Sequence, residues 1–247
     1  MPQFGLGLFI IPDGKATYNS VHAALRSGYR HFDPAYAYRN ERSVGKAIRE
    51  SEVPRKKSWT TSKLWPNEYG KGKILAAIDR MLERFCLDYL DMVYLHQPVG
   101  DYAGIWKELE KAVEKGKVCA IGISNFDYKD ELSDSFIATM RQKPDAMQIE
   151  CHPYAQHTHW QKKLKELGIV LECWYPLGGR ASNGELLRDP IINRIAKAHG
   201  KTAAQIIIRW QMRDKTSLKS RFLLLGKTVN QIPAERANRK VRQSIGR

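Results

Sequence analysis

Residues 90–124 read LDMVYLHQPVGDYAGIWKELEKAVEKGKVCAIGIS, and the order of patterns in this stretch decides the fold. Leu90–His96 is a near-continuous apolar run, as expected of a strand covered on both faces. Ile105, Leu109 and Val113 then recur at helical spacing, with Glu108, Glu110, Lys111 and Glu114 on the opposite face. Gly116 follows, where a helix ends best on a residue that tolerates positive φ. Val118–Ser124 is a second covered strand. Strand, helix and strand in that order make one parallel crossover unit.

The alternation continues on both sides. Strand-like runs stand at Gly5–Ile10, Tyr29–Phe32, Ser58–Lys63, Ala146–Cys151, Ile169–Trp174 and Phe222–Leu225. Between them lie helical patterns such as Ile74, Ile78, Met81, Leu82 and Phe85, and Gly28, Gly168 and Gly200 follow such patterns as Gly116 does. Eight strands alternating with helices predict a parallel α/β protein. A doubly wound sheet would carry a G-x-G-x-x-G turn after an early strand, and the sequence has none. The 247 residues match the length of one (β/α)8 TIM barrel, about 250 residues. The expected fold is that barrel as a single domain over residues 1–247, with no linker or internal repeat.

Composition narrows the function. Hydrophobic residues make up 43% of the chain, ordinary for a globular protein. No apolar run reaches the roughly eighteen residues of a membrane span, and Phe4–Ile10, closed by Pro12-Asp13-Gly14, reads as a first strand and not a signal peptide. Cys86, Cys119, Cys151 and Cys173 show no C-x-x-C pairing and read as reduced, buried residues of a cytoplasmic protein. His152, His157 and His159 lack the carboxylate or cysteine that would complete a tetrahedral zinc set, so no metal is expected. The net charge of +15 is unusual for a metabolic enzyme. Its distribution explains it: residues 211–247 carry ten Lys or Arg against two acids, a surplus of eight. With no nucleic-acid-binding word in the chain, neither a nucleic-acid nor a membrane partner is expected.

Asp33, Tyr38, Lys63 and His96 lie at or just past the ends of four strand-like runs, and in such a barrel those ends open onto one face. Each sits in a specific word. GYRHFDPAYAYRNE at 28–41 contains Asp33 and Tyr38; Thr61-Ser62-Lys63-Leu64-Trp65 contains the lysine; LDMVYLHQP at 90–98 contains the histidine. Further words follow: Gly122-Ile123-Ser124-Asn125-Phe126, Gln148 to Pro153, Trp174 to Leu177, and Gly200 to Gln205 with Arg209-Trp210. Taken in this order, the words covering residues 4–210 resemble the aldo-keto reductase family, of the bacterial 2,5-diketo-gluconate or aldehyde reductase type.

The chemistry also stands on the residue types. Reducing a carbonyl by hydride transfer leaves negative charge on oxygen, which must be stabilised and protonated. A free phenol with a pKa of about 10 is a reluctant acid at neutral pH, and a nearby ammonium is expected to lower it. The resemblance implies Tyr38 as donor, Lys63 as that cation, Asp33 as the partner that holds the amine, and His96 as the group that orients the substrate oxygen. Singly, each reads better as a surface or structural group, and an Asp–Lys pair can equally be a structural ion pair.

The resemblance also implies that Ser124, Asn125 and Gln148 hydrogen-bond a nicotinamide carboxamide, that Trp174 stacks on the ring, and that Leu177 lies in the cofactor loop. Trp174 reads alternatively as core packing. Phe9, Trp65 and Gln97 would wall the substrate pocket. Pro34, Leu8, Gln97 and Tyr175 depart from the family's usual residues. In the basic tail, Phe222–Thr228 could supply the eighth strand, with Lys227, Thr228, Arg236 and Asn238 at the nucleotide 2′-phosphate. Lys219-Ser220 offers a rival alignment, and an altered, non-native tail a further reading. The expectation is a monomeric cytoplasmic NADPH-dependent reductase of small aldehydes, ketones or dicarbonyls, with NADH left open. The rival is a non-catalytic cofactor-binding module.

Overall fold

The computed structural model describes residues 1–128, 130–179, 182–212 and 217–220. Strand and helix alternate: β1 (Phe4–Gly7), α1 (Lys15–Arg26), β2 (His31–Asp33), α2 (Glu41–Arg49), β3 (Trp59–Leu64), α3 (Ile74–Phe85), β4 (Leu90–Leu95), α4 (Tyr102–Glu114) and β5 (Val118–Ser124). Then come α5 (Asp130–Ala138), β6 (Ala146–Glu150), α6 (Thr158–Leu167), β7 (Val170–Trp174), three helices α7 (Glu185–Arg188), α8 (Pro190–Ala198) and α9 (Ala203–Met212), and β8 (Ser217–Ser220). The strands pair in sequence order, all parallel, into a closed barrel. The expected (β/α)8 architecture is therefore correct.

The eighth strand is displaced from its strongest sequence signal. Ser217–Ser220 closes the barrel, pairing Leu218 with Phe4 of β1 and with Cys173 of β7. The apolar run Phe222–Leu225 lies outside the described residues. The first strand is also shorter than expected, because the chain leaves the sheet at Leu8 and Ile10 takes a φ of +60°.

Strand residues of alternate parity face two environments. Val93 and Leu95 of β4 join the large core between barrel and helices, with Ile78 and Met81 of α3 and Ile105 and Leu109 of α4. Met92 and Tyr94 form a separate cluster with Ala120 and Ala146, against which Trp59 packs. Gly28, Gly116, Gly168 and Gly200 all have φ between +60° and +89°, as their positions after helices predicted.

Two expectations fail in detail. Glu110, assigned to the solvent face of α4, is buried, where its carboxylate accepts the Gln142 N–H at 2.9 Å. Trp106 of the same helix donates its indole N–H to Gln142 O at 2.9 Å, so the loop after α5 covers this face. Cys86 and Cys119 are exposed, and only Cys151 and Cys173 are buried as expected. Among the described residues no helix is long and apolar enough to cross a membrane.

Candidate active site

Tyr38 owes its position to the segment between β2 and α2. Tyr36–Tyr38 forms one 3₁₀ turn that ends on Arg39 in the left-handed region. The next residue, Asn40, is wholly buried and donates from Nδ2 to the carbonyls of Leu8 at 2.9 Å and Ile11 at 3.1 Å. That ties the Tyr38 turn to the loop after β1. Glu41 then accepts from the Ser62 hydroxyl and from Arg84, binding the turn to β3 and α3. Burial pushes the Glu41 carboxyl up, against the pull of Arg84 and the Ser62 hydroxyl.

Behind this turn, Lys63 is fully buried and donates to Asp33 Oδ1 at 2.7 Å and to the Pro34 carbonyl at 3.2 Å. The Pro34 main-chain carbonyl thus supplies a second acceptor. Lys63 Nζ lies 5.0 Å from the centre of the Tyr38 ring. The His96 ring meets Tyr38 edge-on at 5.9 Å and Trp65 at 4.9 Å. All four residues expected on one face are therefore neighbours.

The electrostatics differ from expectation. The Tyr38 phenol is pushed up, not down: burial is the largest cause, with the charge of Asp33 and the phenol of Tyr175 adding to it. Lys63 is held directly by Asp33, and at the phenol its positive charge is outweighed by burial and by the Asp33 carboxylate.

The barrel mouth holds a cavity of about 790 Å³. Asp33, Tyr38 and His96 line it together with Phe9, Trp65 and Gln97, and Ser124, Asn125, Gln148, Trp174 and Leu177 line it as well. Every site residue expected within the described part of the chain, apart from Lys63 behind the wall, therefore converges there. Lys227, Thr228, Arg236 and Asn238 lie outside the described residues.

Asn125 joins three strand ends. Its Oδ1 accepts the Trp174 indole N–H at 3.1 Å, and its Nδ2 donates to His96 O at 3.0 Å. Tyr175 meets Trp174 at 4.8 Å and Phe9 at 6.0 Å between ring centres, so this departure from the family pattern adds an aromatic wall. Sequence reading missed Tyr69, whose hydroxyl receives the Gln97 N–H at 3.1 Å and fixes the loop after β4. Burial pushes the Tyr69 phenol up to about 12.

The polar groups of Ser124 and Gln148 at the cavity suit a nicotinamide group. Ser124 Oγ is buried at the cavity wall and has no hydrogen-bond partner among the described residues. Gln148, its neighbour in register on β6, brings an amide to the same wall. Trp174 and Tyr175 meet edge-on at the cavity wall and present aromatic surface against which a flat heteroaromatic ring can pack.

A parallel barrel whose strand ends gather a tyrosine, a buried Lys–Asp pair and a histidine around an aromatic cavity is an enzyme architecture suited to carbonyl chemistry. Residues 12–234 match the Aldo/keto reductase family, and the chain belongs to that family as an oxidoreductase. It is 41% identical over 213 residues to a 9,11-endoperoxide prostaglandin H2 reductase of Trypanosoma cruzi, covering 86% of this chain and 74% of that protein. It is also 41% identical over 216 residues to a glyoxal reductase of Bacillus subtilis, covering 86% and 75%. Among solved structures, an aldo-keto reductase from a Medee basin deep-sea metagenome library superposes with a TM-score of 0.86 at 32% identity, over 98% of this chain and 91% of that one.

Proposed function

We propose that this protein reduces small aldehydes, ketones or dicarbonyls to alcohols with NADPH, and that Tyr38 donates the proton. The observation that carries the reading is the meeting of Tyr38, the buried Lys63–Asp33 pair and His96 at one cavity mouth. The named glyoxal reductase relative supports a small dicarbonyl within this range.

When bound, a reduced nicotinamide nucleotide supplies the hydride. Ser124 and Gln148 would hold its carboxamide, Trp174 would pack on the ring, and Leu177 would border it. His96 would orient the substrate carbonyl by a hydrogen bond. The Tyr38 phenol, kept neutral by burial, is then a full proton reservoir beside the oxygen that gains charge. An alkoxide is a stronger base than a phenolate, so the proton moves from Tyr38 to that oxygen. Lys63 stabilises the phenolate left behind, and Asp33 holds the ammonium in place.

The test is NADPH oxidation across an aldehyde and dicarbonyl panel. Turnover is expected, and Tyr38→Phe should reduce kcat by about a hundredfold to ten-thousandfold, the usual range for a general acid. Folded protein that oxidises NADPH with no carbonyl of the panel, or a Tyr38→Phe variant of unchanged kcat, would overturn the proposal.

A further inference from the structure

The Tyr94 hydroxyl and the Gln148 side-chain amide both donate to one oxygen of Glu172, Oε2, each at 2.6 Å. Tyr94 and Glu172 are completely buried and Gln148 nearly so. Tyr94 reaches β7 from β4 by crossing the barrel interior. Its register neighbour on β5 is Gly122, followed on β6 by Ala146, and a side chain at Gly122 would strike the Tyr94 ring. The other carboxylate oxygen, Oε1, lies 3.7 Å from His31 Nε2, which is itself 2.9 Å from Thr61 Oγ1. Of these five linked residues, only Gln148 lines the cavity.

Gln148 Nε2 donates to Glu172 Oε2, so this contact decides which end of the Gln148 amide faces the glutamate. The NH2 group turns to Glu172 and leaves the carbonyl oxygen for the cavity wall. Ser124, paired with Gln148 in register, adds a buried hydroxyl without a partner among the described residues. One acceptor and one donor then stand side by side. That pair complements a primary carboxamide, which offers an N–H donor and a C=O acceptor.

We propose that Glu172 is a positioning residue: by holding the Gln148 amide in one orientation, it makes this wall select a primary carboxamide over an isosteric ketone. The proposal rests on the reading that a nicotinamide nucleotide binds here. Glu172 touches no reactant. Its effect reaches the ligand through Gln148, and Tyr94 steadies the carboxylate from the other side.

The test titrates the 247-residue protein, by nucleotide fluorescence, with NADPH and with its reduced 3-acetylpyridine analogue, in which a methyl group replaces the amide NH2. The native protein is expected to bind NADPH about tenfold more tightly, the cost of leaving one buried acceptor unpaired. Glu172→Met should bring that ratio close to one. Tyr94→Phe keeps the ring and its packing, and should lower the ratio about twofold to threefold. A native protein that does not discriminate, or a tenfold ratio unmoved in the folded variants, overturns the proposal. If circular dichroism shows Glu172→Met unfolded, Tyr94→Phe decides alone, and an unchanged ratio there is fatal. Failure of the native protein to bind either nucleotide overturns the cofactor reading as well, whereas binding with an unmoved ratio overturns only the role of Glu172.

Discussion

Lys63 Nζ lies 2.7 Å from Asp33 Oδ1, and the lysine has no solvent exposure. A buried pair of this kind contributes little when intact, but removing one partner strands the other charge. Lys63→Met should therefore destabilise the protein by about 3–5 kcal/mol. Combining it with Asp33→Asn should recover much of the loss. Thermal unfolding of the single and double variants measures both, and an unchanged Tm for Lys63→Met would show that the charge on Asp33 finds compensation elsewhere.

The Tyr38 phenol, raised by burial, should stay protonated above the ordinary tyrosine value of about 10. The rate of carbonyl reduction should then show no falling limb from this group below about pH 10. Stability has a definite sign as well. With the folded pKa above the unfolded one, the neutral phenol is harmless below about pH 10, and stability drains away as pH rises through the folded value. Tyr38→Phe should be relatively more resistant to alkaline unfolding than the native protein. Equal alkaline midpoints would count against a strongly raised phenol.

Gly122→Ala tests the crossing of Tyr94 through the barrel. The added methyl would meet the Tyr94 ring and come within 2.6 Å of the Ala146 carbonyl oxygen. Overpacking of this kind costs roughly 1–3 kcal/mol. A Tm within a degree of the native value would mean that the ring lies elsewhere.

Trp174→Phe keeps an aromatic face at the cavity but removes the indole donor to Asn125. Freed at one end, the Asn125 amide loses the link that ties β7 to β5 and, through His96 O, to β4. The loss of about one hydrogen bond should weaken nucleotide binding roughly threefold to tenfold. Fluorescence titration checks this, and unchanged affinity would relegate Trp174 to packing.

Most of the barrel was legible because strand and helix write different periods into the sequence. Val118–Ser124 forms β5 as the apolar run suggested, and the glycines after helices take positive φ. Apolar character misled where it serves another purpose. Leu8 to Ile10 continues the hydrophobic run of β1, yet Phe9 leaves the sheet and stands against Tyr38, 5.0 Å between ring centres. The closing strand shows the converse: three of the four residues of Ser217–Ser220 are polar, and backbone pairing with β1 and β7 defines it. The catalytic candidates were visible because each sits in a local word. Glu172 and Tyr94 were not, because their meeting depends on distance across the barrel, and in sequence they are isolated polar groups within two largely apolar strands.

The unequal exposure of the thiols gives the molecule a built-in reporter. Cys86 and Cys119 are open to a maleimide in the native state, whereas Cys151 and Cys173 are sealed in the core. Cys119 stands five residues before Ser124 on β5, about 16 Å from the cavity end of that strand at the usual rise. A dye attached there would sit on the outer wall without blocking the mouth. Two further equivalents of label taken up slowly would then clock the global opening of the barrel.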